Sequence, residues 1–315
     1  MKQSFFAILS MMFLSACGSE NEEPKPTQAE PVVEMPMDGP FADFFDDGGY
    51  LKPDSHALIL REVLFFGVHE EDGSLEGFDL DETVSDQTDA QTCSHPDNVD
   101  AEGRSGIDNQ MGMIWNHIVG PLVGEATHAL IKGAINEGRL LLAIELSDVD
   151  NLQNDDDVTL TFFRARRPNP QVGTFDLLAP DQTFYVDKEV TATRIENLAI
   201  KDGELTAGPV EFQVPIDILA EFFIVKVRSG KIRLTIEPDG SATGILGGVI
   251  NVSEVLEEGY QTNAEPEFRL VAPIFYGNTD MLPNEEGGCD GISTAFRFQA
   301  TTGFVVHYDD QREAN

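Results

Sequence analysis

The sequence predicts a mainly β protein: an antiparallel β-sandwich or partly closed barrel with two or three short helices packed on it. Three observations carry this expectation. Apolar residues alternate with period two in several segments, turn dipeptides recur between such segments, and helical periodicity is confined to a few stretches.

Taken in order, ALILREVLFFGVH at 57–69 is a long apolar run with strand character, ending at the turn EEDGS. Two helices interrupt the strand pattern. Met111, Ile114, Trp115, Ile118, Val119 and Leu122 fall on one face of a helix over about 108–122, with Asp108 in the N-cap position. Ala126, Leu130, Ile131, Ala134 and Ile135 do the same over 125–137, and Gly138 is a natural stop. Both apolar faces are expected to pack on the sheet, which makes Trp115, the only tryptophan, a core residue. Leu140, Leu142, Ile144 and Leu146 then alternate strictly, and Val158, Leu160 and Phe162 repeat the alternation. Turns are expected at KDG (201–203), SG (229–230) and PDG (238–240). A weaker helical period covers 265–277, disturbed by Pro273. Nine to twelve strands between 57 and 308 follow, in a single domain over 50–315.

The chain has 315 residues, 41% of them hydrophobic, which is ample for a large core. Its formal charge of −36 argues against a nucleic-acid partner, which needs a field of opposite sign. The plain reading of that charge is a soluble, strongly hydrated surface.

The first sixteen residues read as a signal peptide. Lys2 supplies the positive start, Phe5 to Phe13 form an apolar run too short to span a bilayer, and LSAC closes it with small residues. Leu14, Ser15 and Ala16 before Cys17 resemble the bacterial lipobox. The resemblance implies cleavage before Cys17 and lipidation there with palmitate-type chains, hence a permanent membrane tether. Gly18 stands where an inner-membrane retention residue would be Asp, so the pattern favours the outer membrane over the inner. Residues 17–49, rich in Glu, Pro and Asp, read as a flexible tether from the lipid to the folded body, with Phe41, Phe44 and Phe45 its one apolar cluster.

With Cys17 lipidated, Cys93 and Cys289 remain, and an exported protein sits where disulfides form. A single internal bridge is one reading; two free buried thiols are the other.

Standard catalytic signatures are absent: no G-x-S-x-G, H-E-x-x-H, P-loop or dinucleotide-binding glycine pattern occurs. The most suggestive segment is GFDLDETVSD at 77–86, with four carboxylates in ten positions. It fails the EF-hand pattern, because counting from Asp79 the sixth residue is Val84 and the twelfth Ala90. Asp97, Asp100, Asp108 and Asn109 follow closely, and a Cys93–Cys289 bridge would carry Asp290 to the same place. Asp79, Asp81, Asp97, Asp100, Asp108, Asn109 and Asp290 are therefore the candidate calcium ligands, since calcium takes six to eight oxygens from such discontinuous sets. The simpler alternative is an N-cap at Asp108 and solvated turns elsewhere. A second acidic loop, SDVDNLQNDDD at 147–157, reads as a hairpin turn.

In KVRSGKIR, a two-residue turn at Ser229 and Gly230 would set Arg228 opposite Lys231 and Lys226 opposite Arg233. Like charges directly opposed repel. Either sheet carboxylates neutralise Lys226, Arg228, Lys231 and Arg233, or an anion such as an acidic glycan, phosphate or lipid headgroup does. Arg164, Arg166 and Arg167 add a second basic group.

The order GFDLD, Cys93, GIDNQ opening a helix, and CDGIS near the end resembles a loose group of uncharacterised bacterial lipoproteins over residues 57–305. The resemblance implies an exported β-rich domain with an acidic loop beside a disulfide, and it carries no activity. The leading expectation is a non-catalytic, surface-anchored protein that binds a ligand or cell-envelope partner, with calcium as the candidate cation. The rival is a glycan-active or other hydrolytic enzyme with a carboxylate pair across a cleft.

Overall fold

The computed structural model describes residues 50–308, apart from 53, 87, 89–92, 94, 219, 220, 263 and 264. The expected signal peptide, Cys17 and the tether lie outside the described residues. β1 (Tyr50–Leu51) and β2 (Ser55–Phe65) lead into an excursion holding β3 (Asn98–Val99), β4 (Ser105–Ile107), α1 (Gln110–Ile114), a π-helical turn (Trp115–Val119) and α2 (Gly120–Asn136). β5 (Leu142–Ser147) and β6 (Asn154–Arg166) form a hairpin, followed by a 3-10 turn (Thr174–Asp176) and β7 (Gln182–Val186). β8 (Thr193–Lys201), β9 (Glu204–Ile218), β10 (Glu221–Ile236) and β11 (Ala242–Asn251) run as a meander. α3 (Val252–Tyr260), α4 (Glu265–Tyr276) and β12 (Met281–Pro283) precede the longest strand, β13 (Cys289–His307).

Eight strands, β2, β5, β6, β8, β9, β10, β11 and β13, are each antiparallel to the next. β13 then pairs back onto β2, from Phe296↔Phe65 to Gly303↔Ala57, and turns the sheet into a barrel. The barrel is partly closed, because β8 and β9 pair only at their hairpin end, through Ile200↔Leu205 and Lys201↔Glu204. That hairpin turns at Asp202 and Gly203, both with positive φ, as a type I′ turn requires. The turn expected at 238–240 joins β10 to β11, with Gly240 N–H donating to Glu237 O.

Cross-strand partners share a face. The alternating Leu58, Ile144, Leu160, Phe162, Leu234 and Phe298 belong to one buried cluster and fill the interior. β5 departs from simple alternation, because all six of its residues are buried. Its outer face is covered by β7, which pairs parallel with β13 at Gly303–Val306 and antiparallel with β6 at Ala165–Arg166. Glu145 is held there by His307 Nε2 at 2.9 Å and Lys52 Nζ at 3.1 Å.

Three local expectations need correction. The two predicted helices are one helical stretch over 110–136, continued through a π turn. Its N-cap is Asn109, whose Oδ1 accepts from Gly112 N at 2.9 Å, and not Asp108, which is otherwise engaged. Trp115 is buried between Phe65 and His128, at centroid distances of 5.1 and 5.3 Å, as its place on the apolar face predicts; the side chains of Val119 and Leu122 lie outside the described residues.

The third correction concerns KVRSGKIR, which is no hairpin. It lies within the single strand β10, and Ser229 and Gly230 form a bulge in it, with Ser229 at φ 50°. A Cβ on Gly230 would stand 2.1 Å from Phe212 Cε1, so the missing side chain lets Phe212 fill the interior. Arg228, Lys231 and Arg233 therefore face Val249, Gly247 and Ile245 of β11, and not one another. Repulsion is relieved by spacing the charges along one strand.

Cys93 and Cys289 form the disulfide, with Cα atoms 5.9 Å apart and a sequence separation of 196. In the chain-entropy treatment, a loop of that size stabilises the fold by at most about 5 kcal/mol. Reduction, or the double substitution Cys93→Ser with Cys289→Ser, is expected to lower the unfolding free energy measured in urea by a large part of that amount without changing the far-ultraviolet spectrum of the native state.

Candidate functional site

The segment Leu75–Leu80 crosses the outer face of the barrel over β10, β11 and β13. Leu75 N donates to Val99 O at 3.0 Å, and Asp108 N donates to Phe78 O at 2.8 Å. Leu75, Phe78 and Leu80 are buried in a small cluster with Ile245, Val249, Met281 and Ala295. Phe78 can lie this close because Gly247 has no side chain; a Cβ there would stand 3.0 Å from Phe78 Cδ2. Extended backbone places alternate residues on opposite sides. Seating Phe78 and Leu80 against the barrel thus turns Asp79 and Asp81 away from it, toward the excursion.

There they meet Asp108. Carboxylate oxygens of Asp79, Asp81 and Asp108 lie within 4.8 Å of one another, and Asp97 is near enough for its charge to act on Asp108. Each acid has a local attachment as well. Asp81 Oδ1 accepts from Thr83 N (2.9 Å) and Thr83 Oγ1 (2.7 Å), Asp97 Oδ2 from Ser85 N (2.6 Å), and Asp108 Oδ2 from Leu80 N (2.6 Å). Asp79 Oδ1 differs: it is buried and has no hydrogen-bond partner among the described residues. Lys231 approaches the group, but its Nζ donates to the Asp79 backbone carbonyl at 2.5 Å.

The electrostatic result is a set of carboxylates that resist ionising together. Burial first, then the charges of Asp81, Asp97 and Asp280, push the Asp108 carboxyl up to about 8. Burial also raises Asp97, with Asp81 and Asp79 adding to it. Asp280, which no sequence pattern singled out, is pushed up to about 6 by burial, although Ser293 N (2.8 Å) and Ser293 Oγ (2.5 Å) donate to it. Its place in the group depends on the pairing of β12 and β13, and a lone aspartate in NTDMLP carries no signal of that pairing.

The other expected ligands are engaged elsewhere. Asp100 binds Arg104 and closes its own turn. Asn109 Oδ1 accepts from Gly112 N and Ala295 N, and its Nδ2 donates to Glu76 O. Asp290 Oδ1 accepts from Asn284 Nδ2 at 2.8 Å on the exposed hairpin loop. In the 147–157 loop, Asp155 Oδ2 accepts from Asp150 N (2.7 Å) and Asn151 N (3.2 Å), so that aspartate ties its own turn.

The basic residues separate in the same way. Arg228 pairs with Glu254 at 2.6 Å, Lys226 is exposed, and Arg233 lies over the Phe78 ring at 5.4 Å. Arg164 bridges Asp187 (3.3 Å) and Asp217 (3.2 Å), Arg166 joins Asp187 at 2.9 Å, and Arg167 donates to Thr183 O. Sheet carboxylates and backbone thus account for most of the positive charge.

Comparison with known proteins places the chain in no group: no protein-family model matches it, no curated protein matches it, and no solved structure matches its fold.

The raised carboxyls predict an inverted pH response. A folded-state pKa above the unfolded value means that the native protein holds protons the unfolded chain has released. Stability therefore falls as pH rises from about 4 through 8. In chelator, urea titrations at pH 5 and pH 8 are expected to differ by on the order of a few kcal/mol in this direction, and Asp108→Asn is expected to flatten much of the difference.

Proposed function

We propose that the protein is a non-catalytic, lipid-anchored barrel of the bacterial cell envelope, whose outer-face acidic centre takes up a divalent cation, calcium by its chemistry. One observation carries the cation reading: Asp79, Asp81 and Asp108 converge within 4.8 Å, and the buried Asp79 Oδ1 in that group has no partner. A buried carboxylate oxygen without a donor is costly, and a cation removes both that cost and the mutual repulsion. Oxygen ligands alone, with no His or Cys among them, favour a hard cation over zinc or copper. Because the acids are attached to both Leu75–Leu80 and the start of the helical stretch, the ion would tie that segment to α1. A structural role of this kind needs no substrate.

The hydrolase reading has less support. Such an enzyme needs a carboxyl of raised pKa facing a second across an open cleft. The raised carboxyls here lie beneath the excursion and not in the groove on the outer face of the barrel, whose carboxylates are Glu62 and Glu76, the latter paired with Arg297 at 2.7 Å. Membrane attachment rests on LSAC and Cys17, and the tether that follows would hold the barrel off the lipid.

Thermal melts test the cation. Calcium is expected to raise the midpoint and chelator to lower it, with about 2.7 kcal/mol of stabilisation at a hundredfold excess over the dissociation constant. Asp79→Asn with Asp81→Asn is expected to abolish the response; a midpoint indifferent to calcium in the wild type would sink the proposal. For the anchor, Cys17→Ser is expected to move the protein from the membrane fraction to the soluble fraction, and mass spectrometry of the wild type to find an acylated Cys17.

A further inference from the structure

The outer face carries a second feature, a groove of about 350 Å³ beside the same Leu75–Leu80 segment. Strand register assigns its floor. Across β10, β11, β13 and β2, the partners Arg233↔Ile245, Ile245↔Arg297 and Arg297↔Leu64 form one row, and Thr235↔Thr243, Thr243↔Gln299 and Gln299↔Glu62 form the next. Four adjacent strands make each row about 14 Å long. Between the rows Gly244 contributes no side chain, and buried Phe298 lies directly beneath it.

The two guanidinium groups are held differently. Arg297 is fully engaged, by Glu76 Oε2 at 2.7 Å, His69 Nε2 at 3.0 Å and the Phe66 ring at 4.7 Å. Arg233 rests on the Phe78 ring at 5.4 Å, and among the described residues no carboxylate or carbonyl takes its five donors. The hydroxyls of Thr235 and Thr243 and the carboxylate of Glu62 likewise have no protein partner among the described residues. In a chain with 20 basic against 56 acidic residues, a guanidinium fixed in a groove and paired with no carboxylate among the described residues is an exception that a bound group would explain.

We propose that this groove binds an acidic saccharide, with a sugar carboxylate on Arg233 and ring hydroxyls on Thr235, Thr243, Gln299 and Glu62. The guanidinium fork matches a carboxylate in two parallel hydrogen bonds. The neighbouring row offers hydroxyl, amide and carboxylate groups in succession, an alternation of donors and acceptors suited to a polyol. The apolar strip of Ile245 and Leu64 gives the C–H face of a sugar ring a surface to cover. A simple inorganic anion would use Arg233 alone and leave that row idle. The proposal extends the non-catalytic binding role and is independent of the cation centre.

Calorimetric titration with a uronic-acid oligosaccharide, in calcium-containing buffer, tests it. The neutral oligosaccharide of equal length, acetate and phosphate serve as comparisons. The acidic oligosaccharide is expected to bind, and Arg233→Gln to weaken it on the order of 10- to 100-fold. Thr235→Val with Thr243→Val is expected to weaken both oligosaccharides, and Lys226→Gln, outside the groove, to change nothing. Arg233→Lys covers the case in which Gln disturbs Phe78: it keeps the charge, loses the fork and is expected to bind at an intermediate level. Absence of binding, equal affinity for the neutral sugar, full affinity in Arg233→Gln, or phosphate or acetate binding as tightly as the saccharide would each overturn the proposal. The calcium melts are read separately, so either proposal can fail without the other.

Discussion

The architecture depends on β13 forming hydrogen bonds along both of its edges. β11 pairs with one edge from Gly291 to Ala300 and β2 with the other from Phe296 to Gly303. A sheet whose last strand returns to its first has no free edge there and a definite inside. Large side chains such as Phe162, Phe212 and Phe298 fill that inside, so insertions between the barrel strands must lie on the outer surface. Both features of interest therefore sit on the outside.

The acidic centre is a consequence of that arrangement. The barrel accepts Phe78 and Leu80 because they are apolar and because Gly247 leaves room, and pleating then sends Asp79 and Asp81 to the opposite side. Asp108 arrives through its bridge to Phe78, and Asp280 comes from the chain entering β12. Local hydrogen bonds fix Asp81, Asp97 and Asp108 in place without neutralising them, and the nearby Lys231 points at a backbone carbonyl. Folding has concentrated charge where burial penalises it, a condition that protons or a cation can relieve.

The same segment forms a wall of the groove. Glu76 holds Arg297 and Phe78 supports Arg233, while the next residue, Asp79, belongs to the acidic centre. The shared backbone is a few residues long and is seated in its own small apolar cluster.

Much of the fold was legible in the sequence. A long apolar run marked β2, period-two patterning marked β5 and β6, and glycine turns marked the joins of β8 with β9 and β10 with β11, because these signals act over a few residues. Of the two readings of Cys93 and Cys289, a bridge or two free thiols, the structure contains the bridge. Ser229–Gly230 misled because the same dipeptide serves a turn or a bulge, and the choice falls to Phe212, a residue of the neighbouring strand. Asp108 and Asn109 exchanged their expected roles for a similar reason: both suit an N-cap, and only the approach of Phe78 and Leu80 claims the first for the loop. Sequence by itself determined a β-rich, strongly acidic chain. Tertiary structure alone decided that the sheet partly closes, that Asp280 joins the acids while Asp100 and Asp290 do not, and that Arg233 pairs with no carboxylate among the described residues. Those outcomes are set by contacts between residues far apart in the chain, which local pattern does not encode.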